Sequence, residues 1–147
     1  MKLSLRKNKR RQGAKIRWMS PRDMPEILEI ERKSFKNALT EQQIMTSMAQ
    51  RTGIGIVAKR SNKIVGFALY DIQPESLCII SIAVDPRFRR RHVGRKLMMR
   101  ILKQHRYRRK IITSQWRMNT EEILIKKRFL TACDALHGVC RNAITID

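Results

Sequence analysis

The residues best suited to chemistry lie in one run, Val84-Asp85-Pro86-Arg87-Phe88-Arg89-Arg90-Arg91-His92-Val93-Gly94-Arg95-Lys96-Leu97. It joins an apolar segment to an amphipathic one, with a glycine and a cluster of cations where the second begins. Unpaired backbone N–H groups and the positive end of a helix dipole meet at such a junction, and arginines add charge-assisted contacts. The chemistry is the holding of phosphate oxygens. A basic loop ahead of an ordinary helix is the plainer reading; the strand before the run and Gly94 within it favour the anion site. Other polar groups carry less. His92 reads as a turn residue, Glu75 as a solvated turn carboxylate more than a base acting through water, and Tyr107 as surface packing. Three cysteines, Cys78, Cys133 and Cys140, are odd in number and lack ligand spacing, so neither a disulfide framework nor a metal site is expected.

The elements that must hold this run follow from periodicity. Ile16 to Met19 reads as a short strand. Ser20-Pro21-Arg22-Asp23 starts a helix, with Ser20 as N-cap, Pro21 at the first position and Asp23 in the first turn. Met24, Ile27 and Leu28 then share one face. Thr40-Glu41-Gln42-Gln43 is a capping box for a second helix, with Ile44, Met45 and Met48 inward and an end near Thr52-Gly53. Ile54 to Lys59 and Lys63 to Ile72 are β-rich and flank a turn at Arg60-Ser61-Asn62. After the turn Gln73-Pro74-Glu75-Ser76, the run Leu77 to Val84 is apolar at almost every position, as a central strand covered on both faces would be. Val93, Leu97, Met98, Ile101 and Leu102 mark a helix to about His105. Lys110 to Trp116 reads as a fifth strand, Thr120 to about Cys133 as a helix and Gly138 to Ile146 as a last strand. The order is βααββββαβαβ, give or take one hairpin, which places the fold in the α/β class as a mixed α+β sheet with helices on its faces.

A chain of 147 residues with 42% hydrophobic content supports one domain with a real core. Its 33 Lys plus Arg against 12 Asp plus Glu give a net charge of +21, which attracts polyanions. Residues 1–22 hold no acid, and residues 86–120 hold 13 basic residues and no acid. Nucleic acid, a ribosomal surface and a phosphate-rich cofactor all suit this field, as does a merely solvated Arg-rich surface. Met1 to Gln12 lacks periodicity, so residues 1–14 are expected to form a disordered basic arm, and residues 15–147 the folded domain. No segment is long and apolar enough for a membrane helix, and the basic N-terminus leads into no apolar signal core. A soluble, cytoplasmic protein with no membrane contact is expected.

The run resembles the acetyl-CoA motif of the GNAT superfamily of N-acetyltransferases, (Gln/Arg)-x-x-Gly-x-(Gly/Ala). "IAVDPRFRRRHVGRKLM" is especially similar to the bacterial ribosomal-protein-alanine N-acetyltransferases, and "IRWMSPRDMPEILEIERKSF" and "NKIVGFALYDI" extend the likeness over about residues 15–102. Arg89, Val93 and Gly94 fit the motif, while His92 replaces its first glycine. The resemblance implies a GNAT-like acyl-CoA N-acyltransferase fold with acetyl-CoA as co-substrate. It assigns cofactor binding to Ile82, Ala83 and Val84 along the strand, to Arg89, Arg90, Arg91, His92, Val93, Gly94, Arg95 and Lys96 in the turn, and to Asn119. It also implies a strand bulge near Ile82 to Val84, offering N–H groups to the thioester carbonyl.

From about residue 113 the likeness fades. Ser114 stands where the family places a glutamate base, no tyrosine follows Tyr107, and the usual Gly-Phe is absent, so the catalytic acid and base are unassigned. The implied activity is acetyl transfer from acetyl-CoA to an amine, a protein N-terminal α-amino group such as that of a ribosomal protein. The alternative is a catalytically degenerate module of the same fold that binds RNA or the ribosome through its basic surface, with the arm touching ribosomal RNA.

Overall fold

The computed structural model describes residues 13–74, 76–104, 110–113 and 145–146. One sheet carries six strands in sequence order: β1 (Lys15–Trp18), β2 (Gly53–Arg60), β3 (Lys63–Ile72), β4 (Ser76–Val84), β5 (Lys110–Thr113) and β6 (Thr145–Ile146). β1 to β4 pair antiparallel, and β4, β5 and β6 run parallel. α1 (Met24–Ser34) and α2 (Glu41–Ala49) pack on one face, and α3 (Val93–Gln104) on the other. This is the mixed α+β sheet expected, with three strands rather than four between α2 and α3. The arm Met1–Gln12, the strand beyond Thr113, the helix expected from Thr120 and the start of the last strand lie outside the described residues.

Local sequence explains most boundaries. Asp23 ends a 3-10 turn, Pro21–Asp23, and its carboxylate accepts the Ser20 N–H at 2.8 Å and two Arg17 guanidinium bonds at 2.7 Å. α1 then buries Met24, Ile27 and Ile30 at three-residue spacing. At α2 the box closes in both directions: Thr40 Oγ1 accepts the Gln43 N–H at 3.2 Å, and Gln43 Oε1 accepts the Thr40 N–H at 2.9 Å. Ile44 is buried, but Met45, expected inward, is 53% exposed. One residue step turns about 100° around a helix, so with Ile44 and Met48 facing the sheet, Met45 points away. Between β2 and β3, Ser61 and Asn62 both take positive φ, 46° and 63°. That two-residue turn matches the strand twist.

The two core layers are split by the sheet. Ile56, Ala68, Tyr70, Leu77, Ile79 and Ile82 meet α3 residues Val93, Leu97, Met98 and Ile101 on one side. Val57, Phe67, Leu69 and Ala83 meet Ile27, Ile30 and Ile44 on the other. Ala14, placed with the arm on sequence grounds, packs in the α3-side core at 9% exposure.

Candidate functional site

β4 carries a break in alternation that sets the site's geometry. Leu69 pairs with Ser81 and Tyr70 with Ile79, leaving Ile80 as an extra residue in β4. Ile79 and Ile82 therefore both reach the α3 face, and Ile80 packs with the α1 side. The bulge implied near Ile82 to Val84 is thus displaced: Ile82, Ala83 and Val84 stay in register with Ala68, Phe67 and Gly66. Among the described residues β4 pairs with β5 over Ser76 to Ile79, so the extra residue directly follows this paired stretch.

At the end of β4 the chain is pinned before it turns. The Asp85 N–H donates to the Val65 carbonyl at 2.8 Å, and the Asp85 carboxylate, 3% exposed, accepts the Arg87 N–H at 2.9 Å, Nε at 3.2 Å and Nη2 at 3.0 Å. The Arg87 side-chain bond holds the Asp85 carboxyl below its ordinary range, against the opposing effect of burial. These contacts shape the 3-10 turn Pro86–Phe88. Arg90 and His92 follow at φ 59° and 61°, left-handed conformations that side chains with a Cβ rarely adopt. The α3 ladder begins with the Lys96 N–H bonding the His92 carbonyl at 3.0 Å, which leaves the N–H groups of Val93, Gly94 and Arg95 at the open helix end.

The expected cofactor residues sort into distinct places. Val93 N–H, Gly94 N–H and Arg95 N–H, with the exposed Arg90, Arg91 and His92, surround the helix start. Arg91 also lies 5.6 Å from the Phe88 ring, and Arg60 from the β2–β3 turn lies 5.9 Å from the same ring. Arg89 turns back on the protein, donating Nε to the Val84 carbonyl at 3.0 Å and Nη2 to Ser34 Oγ at 3.2 Å. It braces the turn against the end of α1. Lys96 is drawn away too, its Nζ donating to the Ala14 carbonyl at 3.1 Å. Asn119, Ser114 and Tyr107 lie outside the described residues, as does Glu75.

Reasoning from sequence missed Glu31, Ser34 and Ser81 as parts of this scaffold. A carboxylate on the apolar stripe of α1 and a serine inside an otherwise apolar strand were the available signals. Chemically, the turn offers a donor set suited to a pyrophosphate: backbone N–H groups, guanidiniums and no carboxylate beyond the fully engaged Asp85. Among the described residues no cluster of His, Cys, Asp and Glu suits a metal ion, and no helix is long and apolar enough to cross a membrane.

Solved structures share this fold. The ribosomal-protein-S18-alanine N-acetyltransferase from Escherichia coli superposes with a TM-score of 0.56 at 21% identity, over 62% of this chain and 58% of that one. Ard1 from Thermoplasma volcanium gives 0.58 at 27% identity, over 63% and 64%. The GNAT family N-acetyltransferase YhbS from Escherichia coli, solved in complex with CoA, gives 0.51 at 23%, over 63% and 56%. The matched part thus spans less than two thirds of each of these proteins. No curated protein sequence matches the chain. The model of the acetyltransferase (GNAT) family matches residues 21–120, and with the bulged β4, the cationic turn and the open start of α3 in place, the chain belongs to that family.

Proposed function

We propose that the protein is an acetyl-CoA-dependent N-acetyltransferase whose acceptor is a protein N-terminal α-amino group, with ribosomal proteins as the substrate class. One observation carries the reading: the N-terminus of α3, with the N–H groups of Val93, Gly94 and Arg95 at its start, is ringed by the exposed Arg90, Arg91 and His92 in the turn that follows β4. Acetyl-CoA supplies an activated acetyl thioester and a pyrophosphate. The residues fit it by their chemistry. Val93, Gly94 and Arg95 N–H groups and the neighbouring guanidiniums hold the phosphates, and Arg89 keeps the turn at a fixed distance from α1. The bulge at Ile80 breaks the alternation of β4, so that Ile80 and Ser81 both face the α1 side and the backbone of the following residues is redirected. Backbone N–H groups of β4 beyond the bulge would stabilise negative charge developing on the thioester carbonyl oxygen. The choice of acceptor is supported by the likeness to the S18-alanine enzyme.

A thiol-release assay with acetyl-CoA against peptides beginning with Ala, Ser or Met tests this, run on wild type and Gly94→Trp. Saturable release with an Ala-first peptide, lost in Gly94→Trp, is the expected result. Turnover unaffected by that bulky residue, or no acetyl-CoA binding at low millimolar concentration, would reject it.

A second reading, a non-catalytic module docking on RNA or the ribosome, is favoured by the solvent face of α3. Arg100 and Lys103 are exposed there, and Arg100 lies 5.9 Å from the ring of Trp18, itself 53% exposed. Cations beside an open aromatic ring suit single-stranded nucleic acid. Steeply salt-dependent RNA binding without thiol release would decide for it.

A further inference from the structure

Glu31 has no exposed surface, at 0%, although it is a carboxylate on the sheet-facing side of α1. Both of its oxygens are engaged. Oε1 accepts the Leu39 N–H at 3.0 Å, and Oε2 accepts the Ser81 hydroxyl at 2.8 Å. Leu39, 6% exposed, belongs to the connection between α1 and α2, directly before the Thr40 cap. Ser81 is the residue that follows the extra Ile80 in β4. One carboxylate therefore bonds the loop after α1 and the strand bulge at once.

One helical turn further, Ser34 accepts from Arg89, which itself holds the Val84 carbonyl. Residues three apart lie on one helix face. The last turn of α1 thus grips the two halves of the site separately: the bulge through Glu31 and the anion turn through Ser34. An apolar residue at position 31 would fill the core without the cost of desolvating a carboxylate. What Glu31 adds is geometry.

We propose that Glu31 is a positioning residue: it locks the β4 bulge to the α1–α2 connection, so that the bulge keeps a fixed spacing from the phosphate-holding turn. The inference rests on the acetyl-transfer reading, in which backbone groups after the bulge face the thioester. Tolerances for such groups are about half an ångström, and a displacement of about 1 Å costs roughly a hundredfold in rate.

The test uses the full-length chain as wild type, Ser81→Ala, Glu31→Ala and Glu31→Gln, each assayed well below its own melting temperature. Ser81→Ala removes one bond with little change of volume and leaves the protein folded. It should lower kcat about tenfold or more while the acetyl-CoA KM and the calorimetric CoA affinity stay within about twofold, because the turn is untouched. Glu31→Gln should recover most of the rate lost in Glu31→Ala: its amide oxygen accepts from Leu39, and its NH2 donates to the Ser81 oxygen. A fall in melting temperature with kcat unchanged in Ser81→Ala would overturn the proposal. Amide hydrogen exchange gives a readout independent of turnover. Leu39 N–H should exchange about tenfold faster in Ser81→Ala, although its own acceptor is still present. If wild type binds CoA but releases no thiol, the acetyl-transfer reading fails by itself. The exchange result then decides the locking: unchanged protection of Leu39 refutes it, and faster exchange upholds it.

Discussion

His92 holds a φ of 61° while carrying a Cβ, and it stands where the family motif has its first glycine. His92→Gly removes that Cβ. The left-handed conformation costs an L-residue about 1–2 kcal/mol, and histidine tolerates it better than most side chains. Glycine relieves the strain but loses about 0.5–1 kcal/mol more through the freedom of its unfolded chain. The two effects leave a net gain between nothing and about 1.5 kcal/mol, a rise of at most about 6 °C in melting temperature. Affinity should respond more than stability. One further charge-assisted bond from exposed backbone N–H to phosphate, worth about 1.5 kcal/mol, tightens CoA about tenfold. His92→Val is the opposing control, since a β-branched residue fits the left-handed region worst; it should lower both melting temperature and affinity. Thermal melts and calorimetric titration with CoA read the series. Equal CoA affinity in the Gly, His and Val forms would refute the assignment of this turn to phosphate.

Three further outcomes are expected. A Cβ on Gly53 would lie 1.8 Å from the Ser47 carbonyl oxygen, so Gly53→Ala should destabilise by about 1–3 kcal/mol or more in denaturant melts, whereas Gly66→Ala, whose nearest contacts are at 3.1 Å, should cost less. Burial pushes the Tyr70 phenol from 10.0 up to about 12; a raised phenol contributes stability below pH 10.0 that is lost as pH climbs toward 12, so alkaline melts of Tyr70→Phe should flatten across that window, and an unchanged slope would count against the buried phenol. Asp23 and Asp85 are held below the ordinary value of 3.8, each first by its hydrogen-bonded arginine, Arg17 and Arg87. Lowered carboxyls stabilise above the unfolded pKa and lose that contribution as pH falls through the folded one, so melting temperature should hold down to about pH 5 and drop below about pH 4; a drop of equal size in Asp23→Asn/Asp85→Asn would reject this origin.

What the sequence disclosed was local. The Thr40 box, the Ser61-Asn62 turn and the α3 stripe of Val93, Leu97, Met98 and Ile101 each depend on residues within a turn or two of one another, and each forms as read. The bulge was misplaced because an all-apolar strand gives no alternation to mark a face; Ile80 and Ile82 look alike until β3 pairs with them. Glu31 reaches Ser81 across 50 residues, a pairing no spacing rule displays. Arg89 and Lys96 are cations in the expected turn, yet their side chains bond protein carbonyls, Val84 and Ala14, because each finds an acceptor within reach. Motif spacing fixes where a backbone runs but not where a long side chain ends.

β1 closes one side of the sheet, and among the described residues its outer edge has no neighbour. An open row of backbone donors and acceptors is a template for pairing with another copy. Here the strand is four residues long and alternates Lys15 and Arg17 with Ile16 and Trp18. Short, cationic edges resist such pairing, and a chain of net charge +21 adds repulsion between whole molecules. That protection is electrostatic, so it weakens as salt shortens the screening length to a few ångströms, about 3 Å at 1 M. Self-association through this edge should therefore strengthen in concentrated salt, the reverse of what salt does to the attraction between a chain of this charge and polyanions.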